Sequence, residues 1–101
     1  MNQTHNDMSD WRGCVDVADG AAGRRWHQVV RPASAAGSPG VALLGLASDA
    51  GVRRNHGRVG AAAGPSALRK YLANLAWHGD TSARLYDAGD VVCKDDELEA
   101  A

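Results

Sequence analysis

The clearest apolar run in the chain is VALLGLAS, at residues 41–48, which follows a Pro-Gly pair. The run is continuous rather than alternating, and this predicts a short strand buried on both faces, as in a parallel sheet. A glycine-rich, basic stretch without apolar periodicity follows at 49–64 and predicts a loop. Apolar positions return in LYDAGDVVC, at 85–93, which predicts a second strand.

A helix is predicted between these two strands. Pro65 suits the first helical position, where its missing N–H is not needed, and Gly79 is a natural stop. Four large apolar residues recur at helical spacing on one face: Leu68, Tyr71, Leu72 and Leu75. The order strand, helix, strand predicts one βαβ unit with a parallel sheet, and therefore the α/β class.

The rest of the chain divides at a linker. We expect residues 1–40 to form an N-terminal arm that ends in PASAAGSPG, and residues 41–101 to form the first βαβ unit of a truncated domain. Trp11 and Trp26 in the arm are predicted packing anchors, which either fold back over the core or contact a neighbouring subunit. Asp96 and Glu99 form a pattern like a capping box, which announces a helix just before the sequence ends. We therefore expect the chain to stop within a fold.

The composition of the chain argues against several classes of function. The net charge is −1, with 12 acidic against 11 basic residues, so nothing favours nucleic acid or a membrane surface as a partner. The sequence contains neither a membrane-spanning run nor a secretory signal pattern, and a cytoplasmic location is expected. Cys14 and Cys93 show no metal-binding spacing and are predicted to be buried or idle thiols. Because much of the apolar content is alanine, without Ile or Phe, we expect a thin core and weak cooperativity on heating.

The loop at 49–64 is the best candidate site, because it leaves the carboxyl end of a predicted parallel strand, where open α/β sheets bind ligands. Its glycines permit close backbone approach, and its arginines can grip carboxylates in two-point contact. A solvated basic loop is the alternative. The loop lacks a phosphate-binding glycine pattern and any aromatic residue for nucleic acid. Its polar and basic residues are Arg53, Arg54, Asn55, His56 and Arg58.

The acidic and histidine residues offer no second site. Asp87 and Asp90 are three apart in a predicted strand, so we expect them on opposite faces and in structural roles. The four histidines are isolated, and no zinc or manganese site can be assembled from neighbouring residues. No Ser-His-Asp set is indicated.

The segment at 41–76, VALLGLASDAGVRRNHGRVGAAAGPSALRKYLANLA, resembles the opening of formimidoylglutamases, and so do LYDAGDVV at 85–92 and RRWHQVV at 24–30. The wider arginase and agmatinase (ureohydrolase) superfamily shares a glycine, proline and arginine core within this stretch. The extended VRRN-x-GR form at 52–58 points to formimidoylglutamase within it. The core positions here are Gly60, Gly64, Pro65, Leu68 and Arg69.

This resemblance implies the N-terminal βαβ portion of an arginase-like, three-layer fold. It implies a hydrolase that cuts N-formimidoyl-L-glutamate to L-glutamate and formamide in histidine degradation, with two manganese ions in the complete enzyme. The metal ligands of that family lie in later motifs of the GGGHD, DAHxD and DxDxxDP kinds, which this chain lacks. The resemblance therefore implies no catalytic or metal-binding residue here, and it implies Asn55 and Arg58 as residues near the substrate.

Two alternatives stay open. The chain could be a non-catalytic truncated remnant, or the N-terminal piece of another ureohydrolase such as an agmatinase. In either case we expect the 101 residues alone to be inactive and to bind no metal. The oligomeric state of a complete protein, including a homo-oligomer, is not fixed by the sequence.

Overall fold

The computed structural model describes residues 2–4, 8–80 and 82–92. Its central strand is β4, Leu85–Val92, to which three other strands bond: β1, Asn2–Thr4, β2, Arg31–Pro32, and β3, Val41–Ala47. Both β2 and β3 run parallel to β4, whereas β1 is antiparallel. The predicted strands and the α/β class are confirmed; position 93 and the capping-box pattern lie outside the described residues.

Three helices accompany the sheet. Helix α1 is Trp26–Val29, α2 is Ala50–Arg54 and α3 is Gly64–Ala73, with short 3₁₀ turns at Gly20–Gly23, Ala33–Ala35 and Ala61–Ala63. Helix α3 is the predicted crossover between β3 and β4, so the βαβ unit is confirmed. The stretch at 49–64 is not a simple loop, because it contains α2. Within the described residues, no helix is long and apolar enough to cross a membrane.

Helix α3 ends earlier than Gly79, where the sequence predicted its stop. Its last residue is Ala73, because the arm binds the backbone that follows. The Arg25 guanidinium donates to the Asn74 carbonyl at 2.6 Å, and the Trp26 N–H donates to the Leu75 carbonyl at 3.0 Å. These carbonyls at the end of the helix are thereby satisfied without a glycine.

The arm lies against the βαβ unit and supplies part of its core. Trp11 and Val30 from the arm pack with Ala73 of α3 and Leu85 of β4 in one buried cluster. Partly buried apolar residues surround this cluster: Met8, Trp26, Val29, Leu43, Leu72 and Trp77. The first predicted alternative, an arm folded back over the core, is the one observed.

The predicted burial of β3 and α3 is wrong in three respects. Leu44 and Leu46 of β3 are 59% and 50% exposed, because they lie on the sheet face opposite α3. On α3, Leu68 and Tyr71 are 59% and 73% exposed. Leu75, just after the helix, is also exposed. The helix instead turns Arg69 and Ala73 toward the sheet, so a charged residue stands where the apolar face was expected.

Candidate functional site at the carboxyl edge of the sheet

A buried ion cluster fixes α3 to β4 beneath the candidate loop. The Asp87 carboxylate accepts hydrogen bonds from Arg69 Nε at 2.8 Å, Arg69 Nη2 at 3.0 Å, Trp11 Nε1 at 2.6 Å and the Gly89 N–H at 2.8 Å. Arg69 also donates to Asp90 at 2.7 Å and to the Gly89 carbonyl at 2.9 Å. Every acceptor position of the Asp87 carboxylate is therefore used, which is the condition for burying a charge without large cost.

Charge and burial act in opposite directions on Arg69. Burial disfavours its charged form, but the hydrogen bonds and negative charges of Asp87 and Asp90 outweigh burial and raise the pKa of Arg69 above its ordinary value. The guanidinium therefore stays charged, and its bonds to Asp87 and Asp90 hold α3 against β4.

The expectation that Asp87 and Asp90 face opposite sides of the sheet is wrong. The pairing of β3 with β4 shifts register here, since Leu43 pairs with Asp87 but Gly45 pairs with Asp90. Gly89, with φ of 79°, supplies the backbone geometry for this irregularity. The extra residue reverses the alternation, so both carboxylates reach Arg69.

Gly45 makes room for this cluster. A Cβ atom on Gly45 would clash with the Asp90 carboxylate and approach Pro65 Cβ at 2.8 Å. The bare backbone lets β3 pass close to the start of α3 and beside the ion cluster. The two ends of the candidate loop, which leave β3 and join α3, are thereby held at a fixed separation.

Hydrogen bonds also join the start of the candidate loop to the part near its end. Asp49, which follows β3, accepts hydrogen bonds from the N–H groups of Gly60 at 2.9 Å and Ala62 at 3.1 Å. These backbone bonds lower the pKa of Asp49 below its ordinary value. The ionised carboxylate therefore closes residues 49–62 into a compact loop.

Helix α2 ends within this loop in a Schellman motif. The His56 N–H donates to the Arg53 carbonyl at 3.1 Å, and the Gly57 N–H donates to the Val52 carbonyl at 2.8 Å. His56 takes the left-handed conformation, with φ of 56°, that this motif requires. The turn directs the chain from the helix toward Gly60.

The predicted substrate residues both lie on this turn. Asn55 follows the last residue of α2, Arg58 follows the Schellman motif, and both are exposed. They lie close in sequence on a loop that Asp49 closes, at the carboxyl edge of the parallel sheet. Arg53, Arg54 and His56, the other members of the basic set, are exposed on the same turn. The structure thus presents a cationic surface where α/β sheets bind ligands.

The described residues supply no metal centre to this surface. Among the described residues, no group of three or more histidine, cysteine, aspartate or glutamate residues is placed to hold a metal ion. Asp87 and Asp90 are engaged with Arg69. The described residues therefore do not fit a two-manganese site, and we derive no catalytic step through one. Cys14 is a free, exposed thiol and not a buried one.

The sequence interpretation missed the ion cluster. Arg69 belongs to the family pattern, but simple alternation along a strand places its two carboxylate partners on opposite faces. One signal was available: two aspartates inside an apolar strand need a buried partner, and the crossover helix carries two basic residues, Arg69 and Lys70, that could supply it.

A parallel βαβ unit with a closed basic loop at its carboxyl edge places the chain among the α/β proteins, whose open sheets bind ligands at that edge. No family model matches the chain. The chain is 58% identical to a formimidoylglutamase of Chromobacterium violaceum over 95 residues, which is 94% of this chain and 30% of that protein. It is 56% identical to formimidoylglutamases of Ralstonia nicotianae and Aeromonas hydrophila, over 97% and 94% of this chain.

The chain belongs to the formimidoylglutamase family, and it corresponds to the N-terminal part of its members. The predicted resemblance is confirmed, and with it the arginase-like origin of the βαβ unit. The chain spans about 30% of the length of these relatives.

Proposed function

We propose that this chain supplies the substrate-side loop of an enzyme that hydrolyses N-formimidoyl-L-glutamate to L-glutamate and formamide. The single observation that carries the proposal is the closed cationic loop at the carboxyl edge of the sheet, in a chain 58% identical to a formimidoylglutamase. Manganese dependence, a role in histidine degradation and a cytoplasmic location are part of the same proposal.

Arg58 and Asn55 are the proposed substrate contacts. The guanidinium of Arg58 would bind a carboxylate of the substrate in two-point contact, and the Asn55 amide can both donate and accept a hydrogen bond. A substrate that carries carboxylates suits the exposed guanidinium of Arg58 on this loop. Because these groups bind and orient, the bond-breaking chemistry belongs to parts of the enzyme outside this chain.

The test is a chimera in which this chain replaces the matching part of the Chromobacterium violaceum protein. We expect the chimera to hydrolyse formimidoylglutamate and not agmatine. Arg58→Ala should raise KM about 10-fold or more, with a smaller effect on kcat, because a charged contact of about 1.5–3 kcal/mol is removed from the bound substrate.

Arg12→Ala is the matched control, since Arg12 is exposed on the arm outside the loop. An unchanged KM in Arg58→Ala would remove Arg58 from the site. Preference of the chimera for agmatine would favour the alternative ureohydrolase. The 101-residue chain alone should show no hydrolysis.

A further inference from the structure

Three arginines line a cavity at the amino edge of the sheet. Arg24, Arg31 and Arg84 line a space of about 190 Å³. Arg31 opens β2 and Arg84 directly precedes β4, so the parallel pairing of these strands brings their side chains together. The cavity lies about 23 Å from the carboxyl edge, the length of the eight-residue β4 at 3.3 Å per step. It is therefore distinct from the loop of the proposed function.

The charges in this cavity are unbalanced. Its other lining residues are Val29, Ala83, Leu85 and Tyr86, so no carboxylate of the described residues lines it. Among the residues that the structure describes, none of the three arginines forms an ion pair. Like charges in a partly enclosed space repel one another, and a bound anion relieves that repulsion.

Two of the guanidinium groups are held in place by backbone carbonyls. Arg31 Nη1 donates to the carbonyls of Gln28 and Val30, each at 3.2 Å. Arg84 Nη1 donates to the Ser82 carbonyl at 3.1 Å. Each of these arginines is bound through one nitrogen, so its remaining N–H donors face no other acceptor within the described parts of the chain. A planar fork fixed in this way is suited to oxyanions.

We propose that this cavity, defined by Arg24, Arg31 and Arg84, binds a small dianion that carries two carboxylate or phosphate groups. A space of about 190 Å³ accommodates a small diacid or diphosphate. Carboxylates and phosphates both present oxyanions to arginine, and the experiment below distinguishes a carboxylate ligand from a phosphate ligand.

The test titrates the ¹⁵N-labelled chain with sodium pyrophosphate and, separately, with sodium succinate. We expect saturable shifts of the Arg31, Leu85 and Tyr86 amides with at least one probe, and weaker binding at higher NaCl concentration. Arg31→Gln and Arg84→Gln should each weaken binding about 10-fold, and Arg31→Lys should weaken it less. Saturation by pyrophosphate alone identifies a phosphate ligand, and saturation by succinate alone identifies a dicarboxylate.

Arg12→Gln makes the same charge change outside the cavity and should leave the affinity unchanged. Far-UV circular dichroism checks that each variant keeps its fold, and Arg31→Lys preserves the charge if a glutamine variant unfolds. The proposal is overturned if neither probe saturates below about 10 mM. It is also overturned if Arg12→Gln weakens binding as much as Arg31→Gln, since the attraction would then be general rather than local.

Discussion

Arg69 joins α3 to β4 through buried hydrogen bonds. Its guanidinium is buried between α3 and β4 and bonds to Asp87, Asp90 and the Gly89 carbonyl. Removing one partner of a buried ion pair leaves the other charge without compensation, which is more damaging than the loss of the pair itself. The cluster therefore specifies how the helix sits on the strand.

Arg69→Gln should lower the free energy of unfolding by about 3–5 kcal/mol, because the Asp87 carboxylate stays buried without its cation. Lys70→Gln is the matched control, since Lys70 is exposed and its ammonium lies 3.9 Å from Asp10; it should cost less than about 1 kcal/mol. Urea unfolding followed by circular dichroism measures both. Equal effects of the two substitutions would contradict the role assigned to the cluster.

The lowered pKa of Asp49 predicts that the conformation of the candidate loop depends on pH. Its pKa is lowered in the folded chain, so its contribution is present above the unfolded pKa and is lost as pH falls through the lower, folded pKa. The amide proton shifts of Gly60 and Ala62 should therefore titrate together, with a midpoint below about 3.9, the ordinary aspartate value.

The Gly57 amide is the internal control, because its acceptor is the Val52 carbonyl, which does not titrate. In Asp49→Ala, the Gly60 and Ala62 shifts should no longer follow this transition. A midpoint above the ordinary aspartate value would mean that the two backbone bonds do not favour the ionised form.

At the scale of elements, the arm is part of the domain's packing. Trp11 buries its ring in the core and donates to the Asp87 carboxylate, so it joins the arm to the same ion cluster that holds α3. Cys14 and His27 extend this attachment, since the Cys14 N–H donates to the Asn74 side chain at 2.9 Å and the Cys14 carbonyl lies 2.8 Å from His27 Nε2.

Trp11→Phe should destabilise the chain more than Trp77→Phe does, by about 1.5–3 kcal/mol, the value of a hydrogen bond to a charged group. Trp77 is the matched control because its buried Nε1 has no hydrogen-bond partner within the described residues, so phenylalanine there removes only ring contacts. Thermal unfolding of both variants supplies the comparison. A smaller loss in Trp11→Phe would mean that the hydrogen bond from Trp11 to Asp87 contributes little to the attachment of the arm.

The sequence predicted which helices and strands form, but it did not predict where the helix ends or how the strands pair. The apolar run at 41–48, the proline at 65 and the second apolar run located β3, α3 and β4 within a few residues. The early end of α3 depends on backbone bonds from the arm, which are distant in sequence. Likewise, the register shift at Gly89 depends on how two strands pair, and simple alternation cannot anticipate it.

At the scale of the whole molecule, the described residues leave large apolar side chains exposed on two surfaces. Leu44 and Leu46 occupy one sheet face, and Leu68 and Tyr71 occupy the outer side of α3. The sequence patterns predicted burial for these positions, and the relatives are about three times as long as this chain. We infer that the remainder of such an enzyme covers these surfaces, which explains why the pattern and the exposure disagree.

The candidate site was also predictable only in part, because it depends on contacts between residues that are distant in sequence or lie outside this chain. Sequence placed the basic loop at the carboxyl edge of the sheet, and its closure by Asp49 depends on backbone groups 11 and 13 residues away. The assignment of Asn55 and Arg58 to substrate stays a prediction, because the other side of the proposed site lies beyond the matched 30% of the relatives. Weak thermal cooperativity of the isolated chain also stays a prediction.

We propose that this chain supplies one part of a formimidoylglutamate hydrolase and needs the rest for activity. The most direct test mixes the chain with the complementary part of the Chromobacterium violaceum protein, whose matching 30% has been removed. We measure formamide release from N-formimidoyl-L-glutamate, with added Mn²⁺. We expect activity from the mixture and none from either part alone. A mixture that forms a stable, folded complex and still releases no formamide would contradict the account.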